Sequence, residues 1–283
     1  MSAPFQHLIA DSSAVELLHG DMQLLRYEYG PDTQPDESPR PYAHPLRSLA
    51  GEVLTNFRPN DHRWHHGMNF TICSVSGVNF WGGPTYRKAD GYQWRADHGV
   101  QLHTEWRELN PHRIAHAIDW RAGAAGEQLL REERALVFEV APPAWSIRWT
   151  SSIKNVTSRV LALGNYHSSE GLAGSHYTGL QFRGARDLLD EHMDASIGIS
   201  CEGGLEGEAA VHGAAARWME WRCQKDTTQR RVAIRFENHT GPVHWFVRRN
   251  NPLAVIPFHF DRDLSLAPGD ELAIDCSITI TDQ

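Results

Sequence analysis

Glu271-Leu272-Ala273-Ile274-Asp275-Cys276-Ser277-Ile278-Thr279-Ile280 is the stretch that decides the fold class. Leu272, Ile274, Cys276, Ile278 and Ile280 alternate with Ala273, Asp275, Ser277 and Thr279, a period of two that marks a half-buried strand. Just upstream, Leu264 and Leu266 are separated from it by Ala267-Pro268-Gly269-Asp270. Pro and Gly there supply turn dihedrals, so the C-terminus reads as two strands joined by a tight connection. Outward from this point, further strands are expected at 22–29, 68–75, 100–107, 114–120, 130–140, 146–152, 231–237 and 245–248. Helical periodicity is scarce. Many strands separated by Gly, Pro and Asn/Asp turns, without helices between them, predict an all-β, antiparallel β-sandwich and argue against a parallel α/β sheet. The proline-rich segment 30–42 is expected to be a surface loop within one domain spanning 1–283.

Composition excludes some function classes. The 283 residues carry a net charge of -8 and no Lys/Arg run, which argues against a nucleic-acid partner, since phosphate backbones select a basic face. No apolar stretch reaches the roughly 18 residues that read as a membrane span, and the segment from Met1 to Ala10 lacks the pattern of a secretory signal. Cys73, Cys201, Cys223 and Cys276 are far apart with no C-x-x-C, as expected of reduced thiols in a cytoplasm. The sequon Asn155-Val156-Thr157 is then a chance match. A homo-oligomer stays open.

Histidine is the chemically loud residue, with 17 in the chain, and Asp61-His62-Arg63-Trp64-His65-His66-Gly67 is the densest group. Neutral imidazole is the commonest metal ligand and also exchanges protons near neutral pH. In a helix His62 and His66 would share a face, but Arg63 occupies the position where an H-E-x-x-H motif needs its Glu. In a strand His65 and His66 would point apart, so all three serve one site only from an irregular loop. Downstream, strand alternation puts Gln101, His103 and Glu105 on one face, an amide, an imidazole and a carboxylate that could line a pocket or simply meet water. Ten tryptophans, Trp64, Trp81, Trp94, Trp106 and Trp245 among them, include some that could stack on sugar rings, although most are expected in the core.

The run from Arg40 to Trp81 contains Pro41-Tyr42-Ala43-His44-Pro45-Leu46, then Asp61-His62-Arg63-Trp64-His65-His66-Gly67, then Val75-Ser76-Gly77-Val78-Asn79-Phe80-Trp81. It resembles the PmoA-labelled family of uncharacterised bacterial proteins, and the likeness continues through Gly164–Arg183 and Trp245–Arg248 to the C-terminal strand. The label names a membrane-embedded oxygenase subunit, which a chain without an apolar span contradicts. The resemblance implies a supersandwich similar to galactose mutarotase and a setting in carbohydrate catabolism. Residue by residue it points to His44, Asp61, His62, His65, His66, Asn79, Trp81, His103, Arg183 and Arg248, with Glu170 and His176 as secondary candidates. His66 stands where many members have Arg, so position 66 serves either proton transfer or the holding of substrate oxygens.

Together these readings predict a sugar-active enzyme performing epimerisation, elimination or hydrolysis by general acid–base chemistry. His65 and His103 are the expected acid–base pair, oriented by Asp61 or Glu105. Arg183 and Arg248 would hold substrate oxygens, and Trp81 or Trp245 would stack on the ring. Convergence of Asp61, His65, His66 and His103 on one pocket is the test of that mechanism. It requires no cofactor. One alternative is a divalent ion held by two or three of His62, His65, His66 and His103. Another is a sugar-binding protein without catalysis.

Overall fold

In the computed structural model, which describes residues 6–189 and 197–283, the strand Glu271–Asp282 lies in the middle of the larger sheet. It pairs with Ala144–Asn155 on one side and Arg231–Asn238 on the other, and Ile274, Cys276, Ile278 and Ile280 are buried, as their spacing requires. Gln128–Ala141, Arg113–Arg121 and Val100–Asn110 extend this sheet in one direction, and Trp218–Lys225, Gly198–Cys201 and Leu205–Glu206 in the other. The strand Leu264–Leu266 is connected as expected but joins a different sheet, pairing with Leu161–Gly164.

The second sheet runs in the order Gln6–Ala10, Ala14–His19, Met22–Glu28, Tyr42–Leu46, Met68–Ile72, Thr178–Arg183, Leu253–Ile256, Phe246–Arg248. Both sheets are antiparallel and enclose one apolar core, so the chain is an all-β sandwich. Three strands of the second sheet, Met68–Ile72, Thr178–Arg183 and Leu253–Ile256, are buried along their whole length. The reason is a covering on both faces. Met68, Phe70, Ile72, Leu180, Phe182, Ala254 and Ile256 point into the core between the sheets, whereas Leu253, Val255 and Phe246 join Cys73, Trp81 and Tyr166 in a separate apolar cluster. Loops and a short hairpin thus form a third layer over the outer face.

Two expectations are corrected here. Segment 30–42 is not simply a surface loop, because Glu37, Ser38 and Arg40 are buried. Arg40 donates to Asn69 Oδ1 and to the carbonyls of Glu37, Ser38 and Trp64, fastening the segment beneath the histidine loop. Nor do His103 and Glu105 share a face. Ala117 pairs with Glu105 and Ile118 with His103, which leaves Thr104 as an extra residue, a β-bulge that turns the following side chains over. The alternation expected at 245–248 does hold, with Trp245 and Val247 in the main core and Phe246 in the outer cluster.

Candidate active site

The third layer and the sheet beneath it enclose a cavity of about 570 Å³, within the roughly 300–1,000 Å³ range of small-molecule sites. Its walls are aromatic: Trp64 and Trp81 from the loops, Tyr92 from the hairpin Thr85–Arg87/Gly91–Gln93, and Tyr166 and Tyr177. Its polar groups are His62, His65, Arg183, Glu208, Arg248, Asn250 and Asn251. The turn at Trp81–Gly83 is built by Asn79, whose Oδ1 accepts from the backbone N–H of Trp81 and Gly82, 2.9 Å each. Gly82 and Gly83 have φ of +93° and +73°, and a Cβ on Gly83 would stand 2.4 Å from the Trp64 indole. Glycine is therefore required for Trp64 to lie on that turn.

His65 is buried at 3% exposure, edge-on to Trp81 with ring centroids 5.8 Å apart. Burial holds its pKa well below the usual imidazole range, and the charge of Arg183 pushes the same way, so the ring is neutral. Its Nδ1 is sealed without a hydrogen-bond partner, which leaves Nε2 for a ligand. Arg183 ends the strand Thr178–Arg183 at 2% exposure. It donates to Asn251 Oδ1 at 2.6 Å and to the Asn251 carbonyl at 3.3 Å, while its Nε has no partner; burial pushes its pKa down to about 10. Two residues back on the same face, the buried Gln181 amide also lacks partners for both polar atoms. Buried polar atoms without partners are uncommon and mark places where a ligand or water supplies the bond. Arg248 lies over the Phe246 ring at 4.8 Å, donates to the Gly174 carbonyl at 2.9 Å and faces Glu208 Oε1 at 3.5 Å. Burial raises the pKa of Tyr92, Tyr166 and Tyr177, keeping these phenols protonated.

Of the residues singled out from sequence, the structure brings His62, His65, Trp81, Arg183 and Arg248 to this cavity. The expected convergence of Asp61, His65, His66 and His103 does not occur. The 58–67 segment is an irregular loop, and successive side chains leave it in different directions. His66 points inward to Glu37, with Nε2 3.0 Å from Oε2, and burial pushes its pKa down to about 4. Asp61 is ion-paired to Arg186 and lines a neighbouring cavity of about 290 Å³ across Trp64. His103 lies against Tyr29, Trp106 and His116 at the edge of the larger sheet. Glu105 is turned outward by the bulge and pairs with Arg131 and Arg107.

Other candidates have structural partners. His44 Nδ1 meets Thr55 Oγ1 at 2.9 Å, and Glu170 binds Arg87 and the Lys88 N–H. Trp245 is in the core with Nε1 donating to the Ala216 carbonyl at 3.1 Å, so it cannot stack on a ring in the cavity. His176 is packed behind the wall, stacked on Phe260. Among the described residues His62, His65, His66 and His103 form no common ligand group; the one group of three that does is His167, His176 and Asp261. Sequence reading missed Glu208, Asn250, Asn251, Tyr92, Tyr166, Tyr177 and Gln181. Tyr166, Tyr177 and Gln181 fall in the Gly164–Arg183 stretch to which the family likeness extends, whereas Glu208 carries no local signal.

The chain belongs to the family described as a family of unknown function, DUF6807, which matches residues 14–283. That description carries no PmoA label and no activity. No curated protein matches. Among solved structures, the chain is similar to a putative aldose 1-epimerase from Escherichia coli K12, with 12% identity and a TM-score of 0.39 over 99% of each chain. It is also similar to a galactose mutarotase related enzyme from Lactobacillus acidophilus, with 9% identity and a TM-score of 0.35 over 99% of this chain and 97% of that one. A polysaccharide lyase shows 10% identity and a TM-score of 0.38 over 100% of this chain and 33% of its own. The chain thus spans a third of that lyase, and 40% of a structure titled as the galactosidase domain of an α-galactosidase–sucrose kinase. At these scores and identities the likenesses say nothing about substrate or chemistry. No helix among the described residues is long and apolar enough to cross a membrane.

Proposed function

We propose that the cavity binds a small carbohydrate and that the protein is an enzyme removing a proton from a sugar carbon next to a carbonyl, the step shared by epimerisation and elimination of keto-sugars. The observation that carries this reading is the pair of buried, incompletely partnered donors, His65 and Arg183, in an aromatic-walled cavity. Tyrosine and tryptophan faces suit the apolar faces of sugar rings, and the side-chain amides of Asn250 and Asn251 suit hydroxyls.

His65 serves as a donor in this mechanism and not as the base. A base at Nε2 would carry its proton on the sealed Nδ1 and become a buried cation beside Arg183, which its depressed pKa opposes. With its proton on Nε2, the neutral ring and the Arg183 guanidinium stabilise the oxyanion that forms as the carbon loses its proton. Glu208 is the one carboxylate among the described residues that line the cavity, fixed by the Arg249 N–H at 2.8 Å, and it takes the proton. The C–H electron pair then moves into the enediolate. Return of a proton to the other face gives the epimer, and loss of a substituent from the next carbon gives the elimination product.

Both outcomes begin with C–H cleavage, so deuterium wash-in from D2O, followed by NMR over a panel of keto-sugars and their glycosides, tests the reading. The parent is expected to exchange one carbon-bound proton. Glu208→Gln should bind substrate and lose roughly 10²–10⁴-fold in exchange rate, the usual contribution of a general base. A panel without exchange by the parent would remove the enzyme reading, and an unimpaired Glu208→Gln would remove Glu208 as the base.

A further inference from the structure

Behind the tyrosine wall, three segments bring together groups that the proposed chemistry does not use. His167 lies in the helix Tyr166–Glu170, His176 just before the strand Thr178–Arg183, and Asp261 beyond the strand Leu253–Ile256. One ligating atom from each lies within 4.8 Å of the other two, the only such trio of His, Cys, Asp or Glu among the described residues. His167 Nε2 and Asp261 Oδ1 are 3.4 Å apart. Two donors about 2.0–2.1 Å from a tetrahedral ion stand roughly 3.4 Å from each other, so this pair is already at ligand spacing.

The third member is held in place. The His176 ring stacks on Phe260 at a centroid distance of 3.5 Å and an interplanar angle of 7°, and its Nδ1 lies 3.1 Å from the Phe260 carbonyl. With Nδ1–H donating to that carbonyl, Nε2 carries the lone pair, the arrangement by which metal-bound histidines are oriented. The His167 ring is 4.5 Å from it. A simple ion pair accounts for His167 and Asp261 but gives no place to a second imidazole fixed beside them.

We propose that His167, His176 and Asp261 bind one divalent transition-metal ion. Two imidazoles and one carboxylate suit Zn2+ and its first-row neighbours, whereas Ca2+ and Mg2+ favour all-oxygen sets. Tyr166 and Tyr177, each the chain neighbour of a ligand, line the cavity, so the ion fastens the wall from behind. This site stands independently of what the cavity binds.

Calorimetric titration of Zn2+ into the full-length, chelator-treated protein tests it. One equivalent is expected to bind with a rise in Tm. His167→Asn and Asp261→Asn should each weaken binding at least ~10-fold, since loss of even an outer-sphere partner of a metal ligand costs that much. His239→Asn, which removes an imidazole near Ser277, should leave the affinity unchanged. Co2+ in place of Zn2+ gives a visible absorption band that Asp261→Asn should diminish. Asp261 is exposed, so its variant reports even if a change at His176 unfolds the chain. A parent that takes up no stoichiometric Zn2+, or variants at 167 and 261 that bind as the parent does, would overturn the proposal.

Discussion

Two groups of histidines, one in the 62–66 loop around buried His65 and His66 and one of buried His116 with half-buried His103, differ in what surrounds them. His65 has a sealed nitrogen without a partner and faces a cavity. At the other site the imidazoles are linked into a chain. His116 Nε2 stands 2.8 Å from the Tyr27 hydroxyl and its Nδ1 stands 2.9 Å from His103 Nδ1. Tyr27 accepts from Arg134, and Arg134 is bound through Nε and Nη2 to Glu132, with both residues fully buried. Arg134 donates to the Tyr27 oxygen; when the Tyr27 hydroxyl in turn donates to His116 Nε2, the neutral His116 ring carries its proton on Nδ1, toward His103. A fully buried imidazole is common to both groups, and the partners decide what each group does. A satisfied network holds the sheets together, whereas an unsatisfied one leaves bonding capacity for a ligand.

The sharpest way to break this comparison is kinetic. His65→Ala should lower exchange by roughly 10²–10³-fold, as removal of an oxyanion donor does, whereas His103→Ala should leave it near the parental rate. Equal losses at both positions, measured by the same NMR assay, would erase the distinction. Next in size is stability. Glu132→Gln leaves Arg134 as an uncompensated buried charge and is expected to cost about 3–5 kcal/mol, read from urea midpoints. A loss below about 1 kcal/mol, roughly that of one ordinary hydrogen bond, would show that the chain contributes little to the sandwich.

The smallest effect per residue is that of acid, and it sharpens what the groups share. Burial pushes His66 down to about 4 and holds His65 and His116 well below 6.5. An unfolded imidazole titrates near ~6.5, so between about pH 6.5 and 4 the unfolded chain binds more protons than the folded one. Their contribution to stability is complete above that window and is lost as pH falls through it, by up to about 1.4 kcal/mol per pH unit for each histidine. Urea midpoints that stay flat from neutral pH to about 4.5 would contradict neutral, buried imidazoles.

Much of the larger sheet was legible because one of its faces meets the core and the other meets water, as at Ile274 to Ile280. Trp218–Lys225 was missed although Met219, Trp221 and Cys223 alternate inward there, so its signal was present. Tyr42–Leu46, Thr178–Arg183 and Leu253–Ile256 belong to a sheet with layers on both sides, where alternation between apolar and polar residues fades. In the site, the histidine loop was readable from local pattern, and Arg248 from the family resemblance. The bulge at Thr104 was not, and one inserted residue redirected Glu105 away from His103. Glu208, Asn251 and Tyr92 reach the cavity only through long-range pairing, which no local window of sequence encodes.

Trp64 lines both the large cavity and the smaller one beside Asp61, and the missing side chains of Gly82 and Gly83 leave the room its indole fills on that turn. The indole thus stands as a partition between two compartments. With the partition in place a guest ends at Trp64; were a small side chain there, a linear chain of linked rings could run through from one compartment into the next. For the carbohydrate ligand proposed above, selection between a lone ring and the end of a polymer would then rest on Trp64 and the two glycines that seat it.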